Sequence, residues 1–425
     1  MFVGSRVLMA WGTACLLGCA APAAPPAAPV APGPAAEHRA GDEAGKKGQA
    51  MKTDPVTPEL AVARLFAPEG PNADSFTLSF LEKVPIATIG KIVQQMAAGL
   101  GAFREVRKAG TSFETVFERG KVPTEVTLDE EGRIAGLFFR PPVMDAASLA
   151  DTVSAISKLP GRVSLLVSSD GVERVAVAAD KALAVGSAFK LVVLGALVDQ
   201  IAAKKRAWTD VVGLRDAWKS LPSGFLQSWP KDTPLTLGTL AALMISQSDN
   251  TATDALVDIV GRAAVEKASP ANRPFLTTRE VFVLKAPGNE ALLASFRAGD
   301  EAARRKVLAE AATRPLPAVS AFGDKPRALD VEWFMSAREL CQVMAKVGDL
   351  PLMSINPGVA SASDWERVAY KGGSEPGVVN LTTVVQAKGK RHCVVATWND
   401  EAGSVEETRF FGLYGQLLSA LRAEG

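Results

Sequence analysis

The segment from Ser187 to Lys204 constrains this chain more than any other. Its apolar residues Phe189, Leu191, Val192, Val193, Leu194, Leu197, Val198 and Ile201 point in nearly every direction around a helix. A surface helix keeps one polar face; a helix without one has to be enclosed by other elements. Enclosure demands a sizeable globular unit. The chain has the means, with 425 residues of which 48% are hydrophobic and 22% charged. That length fits two or three domains at roughly 100–200 residues each.

The elements needed for enclosure are readable from Met144 to Gly425. A helix is expected over Asp145 to Lys158, ended by Pro160-Gly161. Val163 to Ser168 and Glu173 to Ala178 flank Ser169-Asp170-Gly171, a hairpin pattern. Far along the chain, Gly377 to Gln386 and His392 to Trp398 read as two strands around a Lys388-Gly389-Lys390 turn. A last helix covers about Glu406 to Ala423. Strands at both ends with helices between them imply one sheet assembled from the two termini of the unit, beside a helical region.

A smaller unit precedes it, over residues 57–143. Glu59 to Phe66 and Ile86 to Leu100 have apolar residues at helical spacing. Phe103 to Arg107, Ser112 to Arg119, Val122 to Leu128 and Ile134 to Phe139 then read as short strands separated by glycine turns. This is the pattern of a small α+β domain. No cluster of candidate catalytic residues stands out in it, so it reads as a scaffold or recognition unit.

The N-terminus reads as an address. Arg6 precedes the mostly apolar run Val7 to Leu17, whose 11 residues fall short of the roughly 20 a membrane-spanning helix needs. The run ends Leu16-Leu17-Gly18-Cys19, which resembles the bacterial lipoprotein signal. That resemblance implies a signal over residues 1–18, lipidation of Cys19 and anchoring to a bacterial membrane, facing the periplasm or in the outer membrane. An ordinary signal cut near Ala20 to Ala23 is the other reading. Residues 19–56, first Ala/Pro-rich and then charged, form a linker with no apolar face to bury. In an oxidising compartment Cys341 and Cys393 could pair, although sequence does not set their separation.

Composition removes several classes of function. Lys+Arg is 47 and Asp+Glu is 46, a net charge of +1, so no basic face for nucleic acid is indicated. The only histidines are His38, in the linker, and His392. A metal site with two or more His ligands is not expected on that count, and a Ser-His-Asp triad could use His392 alone. The four cysteines form no CxxC pair. No cofactor is expected.

Three short motifs carry chemistry. Ser187-Ala-Phe-Lys190 opens the buried helix. Residues at i and i+3 share a helical face, so hydroxyl and amine can meet. A desolvated Lys has a lowered pKa and can take the proton of a Ser nucleophile. The same spacing at Ser228-Trp-Pro-Lys231 contains a proline unsuited to a helix interior. Ser248-Asp249-Asn250 lies between two apolar helices, about Leu237 to Ile245 and Thr253 to Val260; as a plain loop it would supply a helix cap. Lys371-Gly-Gly-Ser374 is expected just before a strand, its glycines allowing close approach to the backbone.

Together and in this order, these motifs resemble the S-x-x-K, S-D-N and K-T-G signature of class A β-lactamases and penicillin-binding proteins. The resemblance covers Met144 to Gly425. It implies a three-layer α/β domain with a central antiparallel sheet and a helical subdomain. The two-unit layout is similar to the β-lactamase-like esterase of clavulanic acid gene clusters and related lipoproteins, whose small domain has the nuclear transport factor 2 (steroid isomerase) fold.

Carried over residue by residue, the resemblance makes Ser187 the nucleophile and Lys190 its base. Ser248 relays a proton to the leaving group, Asn250 holds a substrate amide, and Lys371 attracts a carboxylate. The N–H groups of Ser187 and Ser374 form the oxyanion hole, and Tyr370, Gly373, Ser374 and Glu375 line the strand edge. The implied substrate is a β-lactam, an acyl ester or a peptidoglycan peptide. D,D-peptidase action, acylation with slow turnover, and a silent envelope binding protein are the alternatives. Two departures stand out. The third motif has Gly372 in place of Thr, and no Glu-x-x-Leu-Asn follows the second motif. Glu280 is the best-placed acid, although a surface or capping role fits it better. The charged helical segment from Ala291 to Pro315 reads as an insertion able to shape a lid.

Overall fold

A computed structural model describes residues 56–424, apart from 111, 141, 145–147 and 404. Cys19, the signal and nearly all of the linker lie outside the described residues.

The small unit begins with α1 (Pro58–Ala63), α2 (Leu78–Lys83) and α3 (Ile86–Leu100). α3 buries Ile89, Val93, Met96 and Leu100, steps of four, three and four that put them on one face. Five strands follow: β1 (Phe103–Ala109), β2 (Ser112–Phe117), β3 (Gly120–Leu128), β4 (Ile134–Phe139) and β5 (Val143–Met144). They form an antiparallel sheet in the order β1-β2-β3-β4, with β5 on β3. The helices close over it around Leu65, Phe76, Phe117 and Ile134. α2 had no counterpart in the sequence reading, because six residues carry too little periodicity to register.

The larger unit starts with α4 (Leu149–Ser157), whose N-terminus is capped by Ser148 Oγ accepting from Asp151 N at 3.1 Å. The hairpin β6 (Arg162–Ser169) and β7 (Val172–Val177) follows. The enclosed helix is α5 (Lys190–Ala202), and every residue from Lys190 to Leu197 is buried. Ser187 comes just before it, in a 3₁₀ turn over Gly186–Phe189. α6 (Leu237–Ser246), α7 (Asn250–Val260), α8 (Arg262–Ala268), α9 (Thr278–Lys285), α10 (Glu290–Ala298), α11 (Glu301–Thr313) and α12 (Ala337–Val347) build the helical region. The chain then returns through β8 (Arg367–Glu375), β9 (Val378–Ala387), β10 (Lys390–Asn399) and α13 (Glu407–Glu424).

The sheet runs β8-β9-β10-β6-β7, all antiparallel. Its early and late strands meet where Leu165 of β6 pairs with Ala396 of β10. Residues Val378 to Val385 of β9 are buried on both faces, because each face has its own cover. Val379, Leu381, Val394 and Ala396 pack against Phe410, Tyr414 and Leu417 of α13 and Ile156 of α4. Val384, Val395 and Leu166 pack against α5 and the helical region.

Two local expectations change. Lys371 to Ser374 lie inside β8 rather than before a strand; two adjacent glycines hide a strand from propensity, and pairing with β9 imposes it. α10 and α11 sit on α9 with Leu292, Leu293, Phe296 and Leu308 buried in the main core. They form a wall of the helical region, not a hinged cover.

Cys341 of α12 and Cys393 of β10 are joined by a disulfide, with Cα atoms 6.0 Å apart. The bond ties the helical region to the sheet across 52 residues of sequence. Closing a loop of that length stabilises by about 4 kcal/mol through the unfolded state. Treatment with excess thiol should therefore lower the urea unfolding midpoint while the fold persists in dilute buffer. Identical midpoints for oxidised and reduced protein would show that the bond contributes nothing.

Candidate active site

Lys190 fixes the site. It is fully buried, one turn after Ser187. Its Nζ donates to Ser248 O at 2.6 Å and Asn250 Oδ1 at 2.7 Å, and lies 3.1 Å from Ser248 Oγ. The first two partners only accept, and a neutral amine satisfies both with its two N–H groups. Its lone pair is then left for a hydroxyl proton, since Ser248 Oγ can donate as well as accept. Burial pushes the Lys190 pKa well below its ordinary value, and the charge of Lys371 pushes it further. Asp249 and Asp254 pull weakly the other way. Ser187 Oγ is not among the described hydrogen-bond partners of Lys190, an open geometry common before substrate arrives.

Lys371 reaches the same hydroxyl from β8, with Nζ 3.1 Å from Ser248 Oγ. It too is buried, and burial lowers its pKa to about 7. One hydroxyl thus sits between two desolvated lysines.

The Ser248-Asp249-Asn250 loop is built to hold that position. Ser248 has φ +53°, the left-handed region that costs a non-glycine residue roughly 1–2 kcal/mol. Asp249, fully buried, caps α7 by accepting from Ala252 N at 2.8 Å. Its other oxygen accepts from Phe225 N at 2.7 Å and Leu226 N at 3.0 Å. The cap starts α7 at Asn250, three residues earlier than apolar spacing indicated. Asn250 Nδ2 donates to Leu221 O at 3.0 Å, which orients its oxygen toward Lys190. Asn250 is therefore first a holder of Lys190, with one amide hydrogen left for a substrate carbonyl.

β8 lies directly against the turn that carries Ser187. A Cβ on Gly373 would fall 2.2 Å from Ser187 N and 2.4 Å from Val185 O. A Cβ on Gly186 would fall 3.2 Å from Ser374 N. The two backbone nitrogens of the expected oxyanion hole are thus brought together only because both intervening residues lack side chains.

The side chains of Tyr370 and Ser374 do not join this group. Alternation along β8 puts Lys371 and Gly373 toward Ser187, and Tyr370, Gly372 and Ser374 on the opposite face. The Tyr370 ring packs over Gly358 and the α13 layer, where burial and then the Glu407 carboxyl raise its pKa. Burial also raises the Glu407 carboxyl, and the Ser374 hydroxyl beside it lowers it in part. The expected lining role of Tyr370 is thus overturned, and Ser374 contributes backbone only. Tyr370 also explains Gly372. A Cβ there would fall 2.2 Å from the Tyr370 hydroxyl and 2.8 Å from Asn380 O, so threonine does not fit.

Among the described residues, the carboxylates beside the segment Arg273 to Thr277 are Glu266, which accepts from Phe275 N at 3.0 Å, and Glu280. The segment Arg273 to Thr277 packs against the start of α5, where the Phe275 ring meets Phe189 edge-on at 5.8 Å. Aligned on Leu276, the Glu-x-x-Leu-Asn pattern reads Arg273 and Thr277. Glu280 is buried in a capping box, accepting from Thr277 N at 2.8 Å and pairing with Arg262 at 2.6 Å. That is the capping role already favoured for it. His392 bonds Ser169 at 2.8 Å on the sheet and packs against Trp365. Ser228 bonds Phe225 O in its own 3₁₀ turn.

Sequence reasoning missed Asp254. It is buried, and burial raises its pKa to about 7 against hydrogen bonds from Thr278 and Arg279. It docks the start of α9 onto α7 through Thr278 N at 2.7 Å and Arg279 N at 2.9 Å. An acid at an otherwise buried helical position, Asn250 plus four, was the available signal.

The model of the Beta-lactamase enzyme family matches residues 148–419. Solved structures similar to this chain include a β-lactamase from Sphaerobacter thermophilus DSM 20745, at 21% identity over 66% of this chain and 97% of that one, with a TM-score of 0.46. A β-lactamase from Desulfarculus baarsii DSM 2075 gives 18% identity over 66% and 99%, with a TM-score of 0.43. No curated protein matches the chain.

Replacing Gly373 by alanine should abolish covalent labelling of Ser187 by a penicillin, because the methyl group would displace the Ser187 backbone. Intact-mass spectrometry checks this. Labelling at the wild-type rate would contradict the assigned contact.

Proposed function

The chain belongs to the β-lactamase enzyme family, and on that premise we propose a serine hydrolase that carries its substrate as an ester on Ser187. The observation that supports this reading is the pair of buried lysines converging on Ser248 Oγ, one of them a single helical turn after Ser187. The neutral Lys190 amine takes the Ser187 proton as Oγ attacks the substrate carbonyl carbon. The oxyanion is received by the N–H groups of Ser187 and Ser374, donors worth roughly 2.7–4 kcal/mol each in comparable sites. Lys190 passes the proton to Ser248, and Ser248 gives it to the departing nitrogen or oxygen. Lys371, when protonated, attracts a substrate carboxylate and favours this transfer.

The substrate class is a β-lactam amide or an acyl ester. The arginine at position 273 favours slow deacylation, since no carboxylate in that segment is placed to activate water. A penicillin-binding behaviour, with an acyl-enzyme that outlives its formation, is the second reading, and a peptidoglycan peptide is then the natural ligand. Residues 1–19 support export and lipid anchoring through Cys19 on a bacterial membrane.

Intact-mass spectrometry with benzylpenicillin and with 4-nitrophenyl acetate tests the proposal. One adduct per chain is expected, lost in Ser187→Ala and slow to decay. No adduct from either reagent, or the same adduct on Ser187→Ala, would refute it.

The pH profile follows from the two lysines. Below its lowered pKa, Lys190 is protonated and cannot act as base, so acylation rises with pH. Above about 7, Lys371 loses its charge and with it the attraction for a carboxylate. Acylation by benzylpenicillin should pass through a maximum and fall on the alkaline side, while acylation by the uncharged acetate should not fall. Parallel profiles would contradict the role of Lys371.

A further inference from the structure

A cavity lies where the small unit meets α13. Its volume is about 260 Å³. Met96 and Leu100 of α3 and Val122 of β3 wall one side, and Phe411 and Leu413 of α13 wall the other. Arg119, Arg140 and Arg409 also line it, and no Asp or Glu does among the described residues. In a chain with 46 acidic residues and a net charge of +1, three cations around one apolar cleft are a local excess.

Two of these charges, those of Arg119 and Arg409, are incompletely neutralised. Arg119 donates to the carbonyls of Ala98 and Gly99, both at 3.1 Å, which are dipoles rather than anions. Arg140 is held by Glu125 from outside the cleft. Arg409 has Glu406 only at 4.0 Å, and its side chain is 58% exposed. Guanidinium groups recognise carboxylates through paired, charge-assisted hydrogen bonds. The volume falls just below the roughly 300–1,000 Å³ of drug-sized pockets, which suits one slim chain better than a fused ring system or a two-chain lipid.

We propose that this cleft binds a single-chain amphipathic anion, with an acyl carboxylate of medium length as its simplest form. The chain fills the apolar space between α3 and α13, and the carboxylate meets the arginines at the mouth. The site is separate from Ser187, so the small unit acts as a ligand-binding module whatever the fate of the catalytic reading.

Calorimetric titration of the purified protein with decanoate, below its micelle concentration, tests this. Decyltrimethylammonium serves as the control of opposite charge. One saturable decanoate site per chain is expected, with the cation bound at least tenfold more weakly. Arg409→Glu, a change at an exposed side chain, should weaken decanoate at least tenfold, and Met96→Trp should fill the cleft and remove binding. The comparison on wild-type protein needs no variant to fold. Absence of saturable decanoate binding, equal affinity for the two head groups, or unchanged affinity in Arg409→Glu would overturn the proposal.

Discussion

Two lysines buried against one serine hydroxyl are the interaction on which the rest depends. Removing an ammonium from water is costly, and placing a second beside it adds repulsion. Burial, and then the charge of Lys371, push the Lys190 pKa well below its ordinary value and so favour the neutral amine. That amine is then satisfied by Ser248 O and Asn250 Oδ1. The enclosed helix α5 follows from the same need, since only a residue walled in on every side is desolvated so fully. The apolar circumference that makes α5 conspicuous in the sequence is what gives Lys190 its chemistry.

The supporting parts are local and expensive. Ser248 is held at a strained φ, and the α7 cap by Asp249 together with the Ser223 hydroxyl on Ser248 O at 2.7 Å keeps it there. Strand β8 can approach Ser187 only through glycine at 373, and glycine at 372 makes room for the Tyr370 hydroxyl. On the same face of β8, beyond Gly373, the partly buried Glu375 joins the buried Glu332 around Lys285. Burial and the neighbouring Glu332 hold the Glu375 carboxyl well above its usual range. This cluster ties α9 to the end of the strand that carries the Ser374 N–H.

Much of this was legible in the sequence. The α3 helix, the β6-β7 hairpin and the late strands show through their apolar spacing and glycine turns. Ser187, Lys190, Ser248 and Lys371 show through motif order. The structure joins Lys190, Ser248 and Lys371 by hydrogen bonds, with Asn250 on Lys190, and sets the Ser187 backbone against Gly373. What sequence could not give was direction. The side of β8 on which Tyr370 and Ser374 lie depends on register with β9. The start of α7 depends on a cap, and the strand containing two glycines depends on its partner. The disulfide required knowing that α12 packs on β10, a contact between residues 52 apart.

The central claim is that Lys190 is a neutral amine at the pH where the protein would act. Carbon-13 NMR of protein labelled at lysine Cε, with the Lys190 signal assigned from Lys190→Arg, measures this directly. The account predicts a Lys190 resonance that titrates well below the exposed lysines, and that shifts upward in pH when Lys371 is replaced by methionine, because a repelling charge is gone. A Lys190 signal that titrates with the bulk of the lysines would mean a protonated amine in the site and would contradict the account.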